Sequence, residues 1–166
     1  TNTLYLDTLA QANQDGNSNS INSFSVAKNY KLLNFHFRTA VIYQLTSDES
    51  IYPLPDLIGR QIAYYEKYVF KGALKLQFGV GVSYTTDYYG YSSMPALTQF
   101  YTQNTNQLGY YPQIDVFLNT HLKRAQIFLK YEHINAGRSI EKSYAVPGYP
   151  SLNKSLKFGV SWNMFD

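Results

Sequence analysis

Apolar and polar side chains alternate with almost no error from Leu74 to Tyr89. Successive side chains of a β-strand point to opposite faces, so this period of two predicts a strand with one apolar and one polar face. Strands of soluble domains typically have about 5–6 residues, whereas roughly 9–11 tilted residues cross a bilayer. The length of the segment favours a membrane-spanning strand, and a long strand of a soluble barrel or sandwich is the alternative.

The same alternation recurs along the chain and predicts about eight strands. Besides 74–89, they are expected over residues 1–15, 24–30, 33–46, 57–70, 111–121, 125–135 and 156–166. The alternation in 57–70 is out of phase, which indicates a β-bulge near Tyr64 and Tyr65. We therefore predict an all-β fold, an antiparallel up-and-down transmembrane β-barrel, as one domain or segment over residues 1–166.

The predicted links alternate between short and long. Short turns are expected at 30–33, 70–73 and 122–125, and each has Lys in its second position. Long loops are expected near 14–22, 47–56, 90–109 and 136–152. Short turns at one rim and long loops at the other are typical of outer-membrane barrels, whereas a soluble barrel gives no reason for this alternation.

Composition supports the membrane interpretation. The 166 residues include 17 Tyr, whose apolar body and polar tip suit a membrane–water boundary; a Tyr-rich carbohydrate or peptide binder is the alternative. Other features of the composition exclude classes of protein. No run of apolar residues approaches the roughly 18 that a transmembrane helix needs, which excludes a helical membrane protein. The chain has no Cys, hence no disulfide framework, and its net charge of +3 lacks a basic cluster, which argues against nucleic acid as a partner.

Several segments of the chain carry a resemblance to a known family. They are residues 53–57, 64–66, 94–101, 110–134, 146–150 and 156–166, and the last of them has an aromatic residue, Phe165, one position before its end. Together these segments resemble the C-terminal part of the "putative porin" family of Bacteroidetes-type outer membranes. The resemblance implies an outer-membrane β-barrel that acts as a porin, and it supplies no catalytic residue. Family members are longer, so we expect the chain to be the C-terminal part of a larger barrel. The start at Thr1, without Met, fits either an internal start or a removed signal peptide.

Charged residues on the predicted inward face are the candidate site. These lumen-lining candidates are Arg38, Lys75, Asp115, Lys130, Glu132 and Lys157. In a wide barrel such residues line a channel and bias which solutes pass. In a narrow eight-stranded barrel they pair with one another and fill the interior. The number of strands in the closed barrel decides between these two outcomes.

No motif indicates catalysis or metal binding. His36, His121 and His133 lack the spacing of a metal site. A lipid-directed barrel enzyme would need a nucleophile and a base near one rim, and serines such as Ser92 and Ser139 lie in no recognisable motif. We therefore predict no enzyme activity, no cofactor and no metal.

These observations predict a porin-like channel for passive diffusion of small polar solutes in a Gram-negative outer membrane. Its expected partners are outer-membrane lipid, small polar solutes and other outer-membrane proteins. The alternative is a narrow closed barrel, or a barrel subunit of a complex, whose long loops 90–109 and 136–152 bind a partner or a surface ligand.

Overall fold

The computed structural model describes residues 3–96, 98–137, 144–150 and 153–164. These ranges contain β-strands, turns and irregular segments, and no helix in them is long and apolar enough to cross a membrane. The strands are β1 (Thr3–Leu6), β2 (Ala12–Asp15), β3 (Ile21–Leu32), β4 (Phe35–Thr46), β5 (Leu57–Val69), β6 (Leu74–Thr85), β7 (Ser92–Met94), β8 (Gln99–Tyr101), β9 (Gln113–Leu122), β10 (Ala125–Glu132), β11 (Tyr144–Val146), β12 (Tyr149–Pro150) and β13 (Ser155–Trp162).

Seven long strands form one antiparallel sheet in the order β13-β10-β9-β6-β5-β4-β3. Each long strand pairs with the long strands that precede and follow it in the chain, which is an up-and-down arrangement. This confirms the all-β, antiparallel prediction. Within the described ranges, neither β3 nor β13 pairs with a further strand along its outer edge, so the sheet is open. The six remaining strands form three separate two-stranded hairpins, β1-β2, β7-β8 and β11-β12.

The first predicted strand is wrong. Residues 1–15 were expected to add one strand to the barrel, but the described part of this segment folds back on itself as the β1-β2 hairpin. The cause is Asp7, whose carboxylate oxygen Oδ1 accepts hydrogen bonds from the backbone N–H groups of Leu9 and Gln11, each at 2.9 Å. A side chain that binds its own backbone in this way favours a turn over a continuing strand.

Short turns and long loops lie at opposite ends of the sheet, as predicted. The predicted turns at 70–73 and 122–125 are confirmed, the second as the two residues 123–124 between β9 and β10. The first turn is Leu33-Asn34 and not 30–33, because β3 continues to Leu32. Leu33 adopts a φ of 54°, a left-handed conformation that is uncommon for a branched apolar residue and that the sequence does not signal. We call this end the turn rim and the opposite end, with the long links, the loop rim.

The predicted bulge in β5 is also wrong. Tyr64 and Tyr65 pair in regular register with His36 and Phe35 on one side and with Gly79 and Phe78 on the other. The alternation in β5 looks irregular because its two faces are mixed in polarity, not because a residue is inserted. Two of the predicted long loops are not wholly irregular: 90–109 contains the β7-β8 hairpin and 136–152 contains the β11-β12 hairpin.

The sheet has two contrasting faces. The apolar face is the one that carries Leu76, Phe78 and Val80, and the polar face is the one that carries Lys75 and Gln77. The apolar face is uncovered along much of the sheet: side chains on it include Phe78, 57% exposed, and Phe158, 79% exposed. The buried apolar residues Ile51 and Leu108 lie instead in the links at the loop rim.

Candidate functional site

The register places all six predicted lumen residues on the polar face. One continuous row of paired residues shows this: Arg38 pairs with Ile62, Ile62 with Gly81, and Gly81 with Asp115. The other four, Lys75, Lys130, Glu132 and Lys157, lie on the same face of β6, β10 and β13. Whether this face lines a lumen stays a prediction.

Four of these residues form one ion-pair network across β9, β10 and β13. The Lys130 Nζ lies 3.0 Å from Asp115 Oδ2 and 2.8 Å from Glu132 Oε1, and Lys157 Nζ lies 2.6 Å from Glu132 Oε2. Within this set, each carboxylate has a cation as its nearest charged neighbour. We call Asp115, Lys130, Glu132 and Lys157 the charge network.

Lys75 belongs to a second, separate pair near the turn rim. Its Nζ lies 3.1 Å from Oε2 of Glu66, which also accepts a hydrogen bond from Gln77 Nε2 at 2.8 Å. The same ammonium lies 5.8 Å from the centroid of the Tyr68 ring. The carboxylate of Glu66 is therefore held by two neighbouring donors on β6.

Arg38 contacts an aromatic ring and not a carboxylate. Its guanidinium carbon lies 5.5 Å from the centroid of Tyr64, and Nη2 donates to the Tyr64 hydroxyl at 3.4 Å. The Tyr64 ring in turn stacks on His36, with centroids 4.7 Å apart. A cation over an aromatic face is attracted by the ring quadrupole, so Tyr64 orients the guanidinium without neutralising it.

The links at the loop rim pack against one another. The backbone N–H of Thr102 donates to the Leu6 carbonyl at 2.9 Å, which joins the β7-β8 segment to β1. The Tyr91 hydroxyl donates to the Ile51 carbonyl at 2.6 Å, which joins it to the loop 47–56. The side chain of Gln103, which is buried, donates to the Gly90 carbonyl at 2.9 Å. We call this packed set of links the loop cluster.

A cavity of about 870 Å³ lies between the loop cluster and the polar face. Its walls are formed by Leu4, Tyr5, Leu6, Gln44, Pro53, Leu54, Pro55, Ile58, Thr85, Tyr88, Gly90, Tyr91, Phe100, Leu108, Val146 and Pro147. None of these wall residues is charged. The volume falls within the roughly 300–1,000 Å³ of small-molecule sites, which commonly have apolar and aromatic walls.

Metal binding and lipid-directed catalysis are the other chemistries considered from the sequence. In those ranges, no group of three or more His, Cys, Asp and Glu residues could hold a metal ion. Of the serines considered for a lipid-directed enzyme, Ser92 lies in β7, and Ser139 lies outside the described ranges, as does Phe165.

Sequence reasoning missed three charged residues of the polar face: Lys31, Arg60 and Glu66. Lys31 was expected in a turn, and the other two lie in β5, where the suspected bulge obscured the alternation. Assigning alternate residues of β5 strictly to opposite faces would have placed Arg60 and Glu66 on the polar face. Glu66 pairs with Gln77 on that face, and Arg60 lies an even number of residues from Glu66.

These features define an all-β protein whose up-and-down strands separate an apolar face from a polar, charge-paired face. The sequence model of the family described as "Putative porin" matches residues 1–166, so the chain belongs to this family. The match includes the first thirty residues, beyond the segments that carried the resemblance. No curated protein and no solved structure matches the chain.

Proposed function

We propose that the chain forms part of the wall of an outer-membrane channel through which small polar solutes diffuse passively. The apolar face would contact lipid, and the polar face would contact the solutes and water. The observation that supports this most is the length of the strands together with their two-faced character: β3 to β6 have 12, 12, 13 and 12 residues. About 9–11 tilted residues are enough to cross a bilayer.

The charges of the polar face fit a water-filled lumen. An isolated charge in a dry interior is costly, and paired charges that keep partial access to water avoid most of that cost. The side chains of Lys130 and Glu132 are 34% and 19% exposed, so the charge network is neither dry nor fully solvated. This is the environment expected of side chains on the wall of an aqueous path.

Two glycines provide a matched test of which face contacts the solutes. Gly81 lies on the polar face, and a Cβ atom built on it would meet only Ile62, at 4.0 Å. Gly59, on the neighbouring strand, lies on the apolar face, and a Cβ atom there would meet nothing within 4 Å. Both positions therefore have room for the Cβ atom of a substituted side chain. We expect Gly81→Trp to lower single-channel conductance in planar bilayers and Gly59→Trp to leave it unchanged.

The proposal predicts stepwise conductance for the native, full-length protein, and liposome swelling rates that fall as the size of an uncharged sugar increases. An intact β-sheet signal in circular dichroism with no conductance and no swelling contradicts it. Equal loss of conductance in Gly81→Trp and Gly59→Trp would contradict the assignment of the two faces.

The cavity favours a second candidate function, in which the loop cluster binds a surface ligand. Its uncharged walls fit a neutral, ring-bearing compound. The test is saturable binding of the neutral dye N-phenylnaphthylamine to protein in nanodiscs. Val146→Trp places a large ring in the cavity wall and should weaken binding, whereas Tyr149→Trp, at an exposed residue of the same hairpin that is not in the wall, should not. Equal binding by both variants contradicts this function.

A further inference from the structure

Three cations follow a diagonal line across the polar face of β3, β4 and β5. Lys31 on β3 pairs with His36, and Arg60 on β5 pairs with Ala40. Arg38 lies between these two positions on β4, two residues from each. Lys31, Arg38 and Arg60, which we call the cationic ladder, therefore lie on successive strands, each step shifted by two residues. Diagonal neighbours of this kind are about 7–8 Å apart, and the ladder spans about 14 Å along the strands.

The cationic ladder is not neutralised by any described residue. Ion pairs among the described residues involve Lys75, Lys130 and Lys157, and none involves Lys31, Arg38 or Arg60. Arg38 rests on the uncharged Tyr64. Arg60 is exposed, as is Lys31.

The carboxylates of the polar face are paired with lysines outside the cationic ladder. Over the seven long strands, the polar face has six cationic residues and three carboxylates, a net charge of +3. The carboxylates are Glu66, Asp115 and Glu132. Glu66 is held by Lys75, and the other two belong to the charge network. The excess positive charge of this face is therefore concentrated on β3, β4 and β5.

We infer that the cationic ladder makes the channel selective for small anions, which pass along the three side chains. This inference rests on the proposed function and names the charge class of its solutes. Rings and lines of Arg and Lys select anions in other pores, because each positive charge raises the local anion concentration.

The magnitude follows from Coulomb's law. A unit charge about 7 Å from a permeating ion in water attracts an anion and repels a cation by about one RT each. Screening at about 0.1 M salt roughly halves both interactions, so each charge changes the anion-to-cation ratio about threefold. Screening weakens this effect, because the Debye length falls from about 10 Å at 0.1 M salt to about 3 Å at 1 M. The selectivity should therefore decline as the salt concentration rises.

The experiment is the reversal potential of the native, full-length protein in planar bilayers under a potassium chloride gradient. The wild-type protein should favour chloride over potassium, and Arg38→Gln combined with Arg60→Gln should lower that ratio severalfold. Lys28→Gln combined with Lys67→Gln is the matched control, since it removes two positive charges from the apolar face, where Lys28 pairs with Thr39 and Lys67 with Leu76. This control should keep the wild-type ratio.

The outcomes separate the inference from the function it rests on. Conductance that favours potassium in the wild type, or an unchanged ratio in the double variant, contradicts the role of the cationic ladder in selectivity. Neither result contradicts the proposed channel. Absence of conductance in the wild type overturns both. Wild-type selectivity that does not weaken from about 0.1 M to about 1 M salt also overturns the ladder, because surface charge in water must be screened; this measurement needs no variant.

Discussion

The Phe117 ring of β9 lies over Gly79 of β6, on the polar face. A Cβ atom built on Gly79 would lie 2.6 Å from Cζ of Phe117 and 2.5 Å from Cβ of Tyr64, closer than carbon atoms approach in proteins. The missing side chain therefore makes room for two aromatic residues from the neighbouring strands. Aromatic coverage of a glycine is a known way to stabilise a strand at a position that otherwise weakens it.

Gly79→Ala should destabilise the sheet by roughly 1–3 kcal/mol, the usual cost of overpacking a filled site. The added methyl group would also lie 2.7 Å from the Ala63 carbonyl oxygen, so rotation of a side chain cannot relieve the clash. Gly81→Ala, two residues along the same face, has open space and should be neutral or slightly stabilising. Thermal unfolding of both variants in detergent, measured by circular dichroism, gives the comparison, and equal midpoints would contradict it.

Glu132→Gln should increase the anion preference of the proposed channel. The substitution removes one of the three carboxylates of the polar face and leaves Lys157 without its 2.6 Å partner, while Lys130 keeps Asp115. We expect the chloride-to-potassium ratio to rise by up to about threefold at low salt. Glu49→Gln makes the same charge change in a loop and should have a smaller effect. A lower ratio in Glu132→Gln would be incompatible with an aqueous path along this face.

Tyr91→Phe should loosen the loop cluster. The substitution removes the hydrogen bond to the Ile51 carbonyl, a net loss of about 1 kcal/mol. Burial, with a smaller effect from Tyr52, raises the pKa of the Tyr91 phenol, so the hydroxyl stays a donor throughout neutral pH. Hydrogen exchange of residues 47–56 should be faster in Tyr91→Phe. Tyr89→Phe is the control and should exchange as the wild type does, because Tyr89 is about as exposed as Tyr91 but its hydroxyl makes no hydrogen bond to a described residue.

The β1-β2 turn should be pH-dependent through Asp7. Hydrogen bonds from the Gln11 backbone, then from Leu9 and Asn13, lower the pKa of this carboxyl group. A lowered folded-state pKa means that the contribution to stability is complete above about pH 4 and is lost as the pH falls through the folded value. The Gln11 amide, after correction for intrinsic exchange, should be less protected near pH 3 than near pH 6 in the wild type. Asp7→Ala should abolish this difference, and Thr8→Ala should retain it.

Long amphipathic strands could be predicted from the sequence because their alternation continues over many residues. In β6 and β13 the apolar positions are almost all large, so both strands were located to within a few residues. In β3, Lys28 interrupts the apolar face, and the predicted strand of 24–30 was too short at both ends. In β5, Gln61 lies on the apolar face and Ile62 on the polar face, which produced the false bulge.

The loop cluster could not be predicted, because its contacts join residues that are distant in the chain. Thr102 and Leu6 are 96 positions apart, and their hydrogen bond leaves no periodic trace in either segment. The cationic ladder could be predicted from the sequence only after the register of the strands was known. Lys31, Arg38 and Arg60 occupy three strands, and only the pairing of those strands brings the side chains into line.

The uncovered apolar face has a consequence for how the protein holds its shape. In a two-layer domain a second layer of the same chain packs on such a face, but here the described residues place their few buried apolar side chains in the loop cluster. On the proposed function, the acyl chains of the membrane take the place of that second layer. The folded state is then shared between polypeptide and lipid, and the thickness and fluidity of the surrounding bilayer become determinants of its lifetime alongside the amino-acid sequence.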